Sequence, residues 1–369
     1  MAFAGHHKSK IGGVTVAWLP VGCAATLSVV DSDPAEHAQR VVETVRHRTA
    51  YLETGPADGP LMIFLHGWPE LGLVWRAQLD HFARAGWRCV APDMRGYGGS
   101  SVPAATGAYA LREIVADMLE LHDALGGAPA VWVGHDWGSP AMWSLAAHHA
   151  DRCRAVASLC APYASKGFAL ENLLPLVDRE LYPAASFPDG QWSYYRFYAL
   201  GFEQAAADFQ ADVAATVALL YRAGSPKAVG RPARSASVVA NGGWFGDTHR
   251  APVVPRDTLL LQDGDFEAVV AALSANGFRG PDSWYVNDAA NMAYAAEAPA
   301  RLTLPVLFVH ARWDTICDTV HSRLAEPMRA DCADLTEVTI DAGHEVMLER
   351  PAEVNAALET WLTAKIGTR

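Results

Sequence analysis

The chain has 369 residues, 51% of them apolar and 19% charged, a balance that excludes a disordered or fibrous protein and gives length enough for a core without disulfide or metal staples. Asp and Glu total 41 against 29 Lys and Arg, a formal charge of −12. With no basic block to neutralise phosphates, nucleic acid and anionic membranes are disfavoured as partners.

The first 40 residues read as an N-terminal extension. Within it, residues 11–30 form an apolar run behind His6-His7-Lys8-Ser9-Lys10. A basic flank before an apolar run also fits a secretory signal, and Leu19-Pro-Val-Gly-Cys23 resembles a lipoprotein cleavage site. Pro20, the paired glycines and the recurring Thr and Val favour a folded or loose extension instead. No other stretch is long enough to span a bilayer.

Strand-like segments follow at Val45–Thr54 and Leu61–Leu65, around the turn Gly55-Pro56-Ala57-Asp58-Gly59, and a short strand at Arg88–Val90. A helical spacing over Leu111–Leu125 stops at Gly126-Gly127. Ala130–Val133 is a strand, Ser139–His149 a helix and Ala155–Leu159 a strand. Short apolar strands without alternation, separated by helices, predict an α/β fold with a mostly parallel sheet covered on both faces. From Ser165 to Ala298 the strand signals vanish. Alanine, aromatic residues and helical periodicities take over, broken at Tyr182-Pro183, Ser186–Gly190, Gly224-Ser225-Pro226 and Asn241-Gly242-Gly243. Pro305–His310 restores the strand pattern, and a last helix covers Ala352–Lys365. The expected division is an extension (1–40), a first core part (41–164), a helical cap (165–298) and a second core part (299–369). Six scattered cysteines without a C-x-x-C pair predict free thiols in a reducing compartment, hence the cytoplasm. Secretion or lipid anchoring through residues 1–30 is the alternative.

Three local patterns carry chemistry. Val133-Gly-His-Asp136-Trp-Gly138 joins a strand to a helix. Small residues around one reactive side chain are what a nucleophile elbow requires, with Asp136 at its tip. Pro140 is compatible with a first helical turn. Leu65-His-Gly-Trp68-Pro-Glu70 follows an apolar strand, and its glycine turn can aim the Trp68 N–H above Asp136. The Trp137 N–H, just after the elbow tip, would be the second oxyanion donor. Finally, Asp314 follows the strand ending at His310, and His344 stands in Ala342-Gly-His-Glu345. Nucleophile, acid, histidine is the chain order of an α/β-hydrolase triad. Asp318 lies further from the strand end and is the weaker orienter. Asp93 and the loop Arg95-Gly-Tyr-Gly98 read as structural.

These motifs, with Pro92-Asp-Met-Arg-Gly-Tyr-Gly-Gly-Ser-Ser101, resemble the epoxide hydrolase branch of the α/β-hydrolase superfamily (the soluble epoxide hydrolase type). The resemblance implies an α/β-hydrolase fold with a helical cap, Asp136 as nucleophile, His344 as base and Asp314 as its orienter. It also implies an apolar epoxide and water as reactants, with neither metal nor organic cofactor. The family's two cap tyrosines find matches in Trp192-Ser-Tyr-Tyr195-Arg-Phe-Tyr198 and Gly277-Phe-Arg-Gly-Pro-Asp-Ser-Trp-Tyr285. Tyr285 fits its pattern closely. Tyr194, Tyr195 and Tyr198 crowd one helical region, where register singles out Tyr195. Ser139-Pro140, where the family has glycine or alanine, and the long N-terminal extension depart from the pattern. Two rival readings are a haloalkane or haloacid dehalogenase on the same Asp–His–Asp machinery, with the Trp68 or Trp137 indole holding halide, and an idle binding protein. The paired tyrosines weigh against the first and the complete triad against the second. Homo-oligomerisation is left open.

Overall fold

The central strands form because their residues can be buried on both faces. Leu61–Leu65 (β4) and Ala130–His135 (β6) have no exposed position, and they pair in parallel at the middle of a nine-stranded sheet. The other strands are Thr26–Val29 (β1), Ala38–Glu43 (β2), Arg48–Thr54 (β3), Arg88–Pro92 (β5), Cys153–Leu159 (β7), Leu302–Ala311 (β8) and Cys332–Ile340 (β9). Their order is β9-β8-β7-β6-β4-β5-β3-β2-β1. The pairings from β9 through β4 to β5 are parallel, whereas β3 runs antiparallel to both β5 and β2. The structure, a computed structural model, describes residues 37–367 and the short strand segments at 10–11, 14–15 and 26–29. The question of a signal or lipoprotein site at Cys23 falls outside the described residues.

Parallel strands need crossovers, and helices supply them. Arg76–Arg84 (α1) buries Leu79 and Phe82, and Leu111–Ala124 (α2) buries Leu111, Ile114, Val115, Met118 and Leu121 at helical spacing. Gly138–His148 (α3) packs on α2, and Pro351–Ile366 (α8) packs on α1. The chain therefore has the α/β architecture that its strand-helix alternation predicts.

The sequence pattern marks neither β2 nor β9 as a strand. The partly exposed β9 sits at the sheet edge, and its polar residues interrupt the apolar run that marks the central strands. The β2 strand pairs with β3 across the boundary drawn at residue 40. The β8 strand also begins before Pro305; its register with β9 shifts between Leu302 and Pro305, where proline has no N–H for the ladder.

Between β7 and β8 lies the helical insert. It contains Ser193–Gln210 (α4), broken at Gly201, then Val213–Leu220 (α5), Asp263–Asn276 (α6) and Asp288–Ala295 (α7). Buried bonds fasten it to the core: Tyr221 Oη–H donates to Pro69 O at 3.0 Å, Trp284 Nε1–H to Arg95 O at 3.1 Å, and Leu111 N–H to Asn291 Oδ1 at 2.8 Å. No helix among the described residues is long and apolar enough to cross a membrane.

Candidate active site

The chain turns sharply between β6 and α3, and Asp136 takes φ 44° there. A non-glycine residue in this region is strained, and strain of this kind persists only where the surroundings enforce it. Close packing enforces it. A Cβ on Gly138 would lie 2.2 Å from Leu65 O, and one on Gly67 would lie 2.4 Å from the Asp136 side chain. Only glycines let the β4 loop and the elbow approach so closely.

That approach brings the Trp68 N–H to Asp136 Oδ1 at 2.7 Å. The other oxygen, Oδ2, lies 3.4 Å from His344 Nε2. His344 Nδ1–H in turn donates to Asp314 Oδ2 at 2.7 Å, while Asp314 Oδ1 accepts the N–H groups of Ile316 and Cys317 at 2.8 and 3.0 Å. Asp318 caps its own turn, taking N–H groups of Val320 and His321, and makes no bond to His344. Burial alone would raise both Asp136 and Asp314, but His344 beside them holds each carboxyl below the usual carboxylate range. Burial opposes charge on His344 too, yet Asp314 and Asp136 keep its imidazole well above the ordinary histidine value. The resting site is thus two carboxylates around an imidazolium. The Trp137 N–H begins α3 and has no intrahelical acceptor.

The loop that carries Trp68 is pinned from below. Gly67 N–H donates to Glu70 Oε2 at 2.7 Å, and Met94 N–H donates to His66 Nε2 at 2.8 Å, so His66 carries its proton on Nδ1 toward Gly67 O. Asp93 receives the N–H groups of Gly72 and Gly99, both at 3.0 Å, and Arg95 pairs with buried Asp117. The structural reading of both therefore holds.

A third group gave no separate signal in the sequence. Glu70, His135 and Glu345 are all buried behind the nucleophile, with ligand-type atoms within 4.8 Å of one another. His135 Nε2 lies 2.8 Å from His344 O, and a carbonyl only accepts, so this nitrogen bears hydrogen. His135 Nδ1 faces Glu70 Oε1 at 3.0 Å without the geometry of a hydrogen bond. Burial raises Glu70 to about 7 and Glu345 well above its usual value. All three residues stand inside the quoted motifs, but their meeting depends on β4, β6 and the His344 loop converging. Two further trios, His135–Cys160–His344 and Asp314–Cys317–His344, also have the spacing of metal ligands; their histidine and aspartate atoms are engaged in the bonds just given.

Asp136 and His344 line a cavity of about 590 Å³, within the range of small-molecule sites. Tyr194 and Tyr285 line the same cavity, with ring centroids 5.7 Å apart. Tyr195 does not. Its hydroxyl donates to Asp288 at 2.7 Å and lies 3.3 Å from Phe168 O. One residue along a helix turns a side chain by about 100°, which is the whole difference between facing Asp136 and facing α7. Tyr198 shares the Tyr194 face and stacks on Tyr285 at 4.5 Å. The remaining walls include Phe187, Leu220, Val238 and Trp244, with the exposed Arg222 and Arg234 on the lining as well.

Residues 60–351 match the family model described as alpha/beta hydrolase fold. Epoxide hydrolase A of Mycobacterium tuberculosis is 33% identical over 331 residues, spanning 88% of this chain and 97% of the relative. The bifunctional epoxide hydrolase 2 of Sus scrofa is 31% identical over 85% of this chain, which spans 53% of that longer relative. Among solved structures, epoxide hydrolase A from Mycobacterium thermoresistibile is similar with a TM-score of 0.73 at 30% identity, covering 89% of this chain and 98% of the other.

Proposed function

The chain belongs to the alpha/beta hydrolase fold family and, within it, to the epoxide hydrolases, and from that premise we propose how its residues convert an epoxide and water into a vicinal diol. Asp136 is the nucleophile. Oδ1 is tied to the Trp68 N–H, so Oδ2 attacks an oxirane carbon from the side opposite the C–O bond. As that bond breaks, Tyr194 and Tyr285 donate to the leaving oxygen, and one of them gives up its proton. Burial and the Asp136 charge hold both phenols well above their ordinary value, so they are protonated at neutral pH.

The ester that forms removes the charge from Asp136 and with it one of the groups that raise His344. The imidazolium then gives its proton to the tyrosinate and acts as a base toward water, with Asp314 holding its orientation. Hydroxide adds to Asp136 Cγ, and the resulting oxyanion is met by the N–H groups of Trp68 and Trp137. Collapse frees the diol, whose departing alkoxide takes the proton of the re-formed Asp136 carboxyl, and His344 keeps the proton drawn from water, which restores the resting imidazolium. The helical insert, residues 165–298, is the lid that supplies both phenols. Mostly aromatic and aliphatic walls suit an apolar substrate.

The observation that carries this reading is the placement of the Asp136 carboxylate, His344 and two phenols on one cavity. Of the two indoles that a halide cradle would use, that of Trp68 has its N–H already given to Asp282 at 2.9 Å. The test is a panel of aliphatic and aryl epoxides assayed for diol beside chlorinated and brominated alkanes assayed for halide. Diol formation without halide release is expected; halide release without diol would reverse the assignment. The five described cysteines are free, which suits a reducing compartment, and we place the enzyme in the cytoplasm.

A further inference from the structure

Asp282 is a fully buried acid that the reaction scheme leaves unused. It ends the short helix Arg279–Asp282 in the lid, and its Oδ1 accepts the indole N–H of Trp68 from the core at 2.9 Å. Its Oδ2 is buried with no partner. A buried charge without a counter-ion is costly, and burial accordingly pushes the carboxyl well up, toward the neutral form. The indole N–H needs an acceptor, but a neutral one would serve, so fold stability gives no reason for an acid rather than an amide here. The Trp68 ring is wedged among Phe209 at 5.2 Å, Tyr285 at 6.0 Å and Tyr198 and Phe278 at 6.4 Å.

What the acid adds is an acceptor for one N–H at a critical place. The other N–H of the same tryptophan, on its main chain, sits 2.7 Å from Asp136 Oδ1. We infer that Asp282 is a positioning residue, which anchors the Trp68 indole across the lid–core boundary so that the Trp68 peptide N–H stays on the nucleophile. This inference rests on the proposed role of Asp136. Without the acceptor, the indole N–H would be buried unsatisfied, and the loop would relieve that cost by turning the ring or admitting water. The peptide N–H would move with it. Tyr285, three residues on, has an independent anchor, since Trp284 Nε1–H donates to Arg95 O at 3.1 Å. The effect of losing Asp282 therefore falls on the step that needs the oxyanion donor, which is ester hydrolysis.

The experiment is a single turnover of an aryl epoxide by wild type, D282L and D282N, following ester and diol by rapid quench and mass spectrometry, with folding checked by circular dichroism. Removing an oxyanion donor outright costs about 100- to 1,000-fold; displacing one in D282L is expected to slow ester hydrolysis about tenfold or more, so that the ester accumulates. D282N keeps a carbonyl acceptor and is expected to recover most of the rate. Should D282L fail to fold, W68F, which removes the indole N–H and keeps an aromatic ring, is expected to slow hydrolysis in the same way. Wild-type hydrolysis by folded D282L or by W68F, or a D282N as slow as D282L, overturns the inference. Absence of any ester in wild type would instead overturn the role of Asp136 itself.

Discussion

The two halves of the site are held in different ways. Asp136, Asp314 and His344 stand at or just beyond strand ends of the core, where the sheet register sets each loop within narrow limits. The two phenols opposite them come from helical turns of the lid, Tyr194 in α4 and Tyr285 just after Arg279–Asp282. A strand end presents a side chain by position in the sheet, whereas a helix presents it by angle. A one-residue error in reading α4 is therefore decisive, because nothing but rotation separates its neighbouring tyrosines.

Substitutions ought to expose that contrast, and the largest effect belongs to the core. Asp136→Ala should take diol formation below detection while the protein keeps its fold, because no other carboxylate shares the elbow. His344→Gln should separate the two steps. Ester formation continues, hydrolysis slows by about 100- to 10,000-fold, and intact-protein mass spectrometry finds the enzyme heavier by one substrate. An equal loss of both steps would remove His344 from the role of water base.

The lid should respond in a graded way. Tyr194→Phe and Tyr285→Phe are each expected to slow ester formation by about ten- to a hundredfold, since the partner phenol still donates, and the double variant by the full general-acid contribution of about 100- to 10,000-fold. Tyr195→Phe loses a bond to Asp288 and is expected to cost about 1 kcal/mol of stability with little change in rate. If Tyr195→Phe proves slow and Tyr194→Phe fast, the assignment between these neighbours is inverted.

The smallest effect concerns stability. Burial lowers the imidazole of His66 to about 3, so the fold binds it neutral while the unfolded chain protonates it near its ordinary value of about 6.5. Stability from this residue is complete above that value and falls as pH drops, by about 2 kcal/mol between pH 6.5 and pH 5. Denaturant midpoints should fall over this interval, and His66→Asn, although less stable throughout, should show a shallower fall. Parallel curves for the two proteins would place the acid sensitivity elsewhere; His47, lowered to about 3 by burial with Arg95 and Arg46 nearby, would then be the next residue to examine.

The same contrast governs what the sequence makes legible. The α/β architecture and the family can be read from apolar strands followed by helices, and from glycine-bracketed motifs whose chemistry is local. The elbow is one such motif, and the φ of 44° at Asp136 is the strain that its glycines foretell. Edge strands are harder. Part of β9 faces solvent, so it lacks the apolar run that marks β4. The cap tyrosine is harder still, because Tyr194, Tyr195 and Tyr198 differ only in rotation about α4, and packing of that helix against the turns at Arg279–Val286, with the Tyr195–Asp288 bond, decides the rotation. Hardest are pairs such as Glu70 with His135 or Trp68 with Asp282. Each is a contact between distant segments, and no spacing along the chain encodes it.

The central claim is that Asp136 forms a bond with the substrate and gives up one of its own oxygens to the product. Mass analysis of a single turnover in heavy-oxygen water, with enzyme in excess over epoxide, tests it directly. Label is expected in the Asp136 carboxylate, with an unlabelled diol on that first turnover. Label in the diol and none in Asp136 would mean that water opens the ring itself, and would contradict the account.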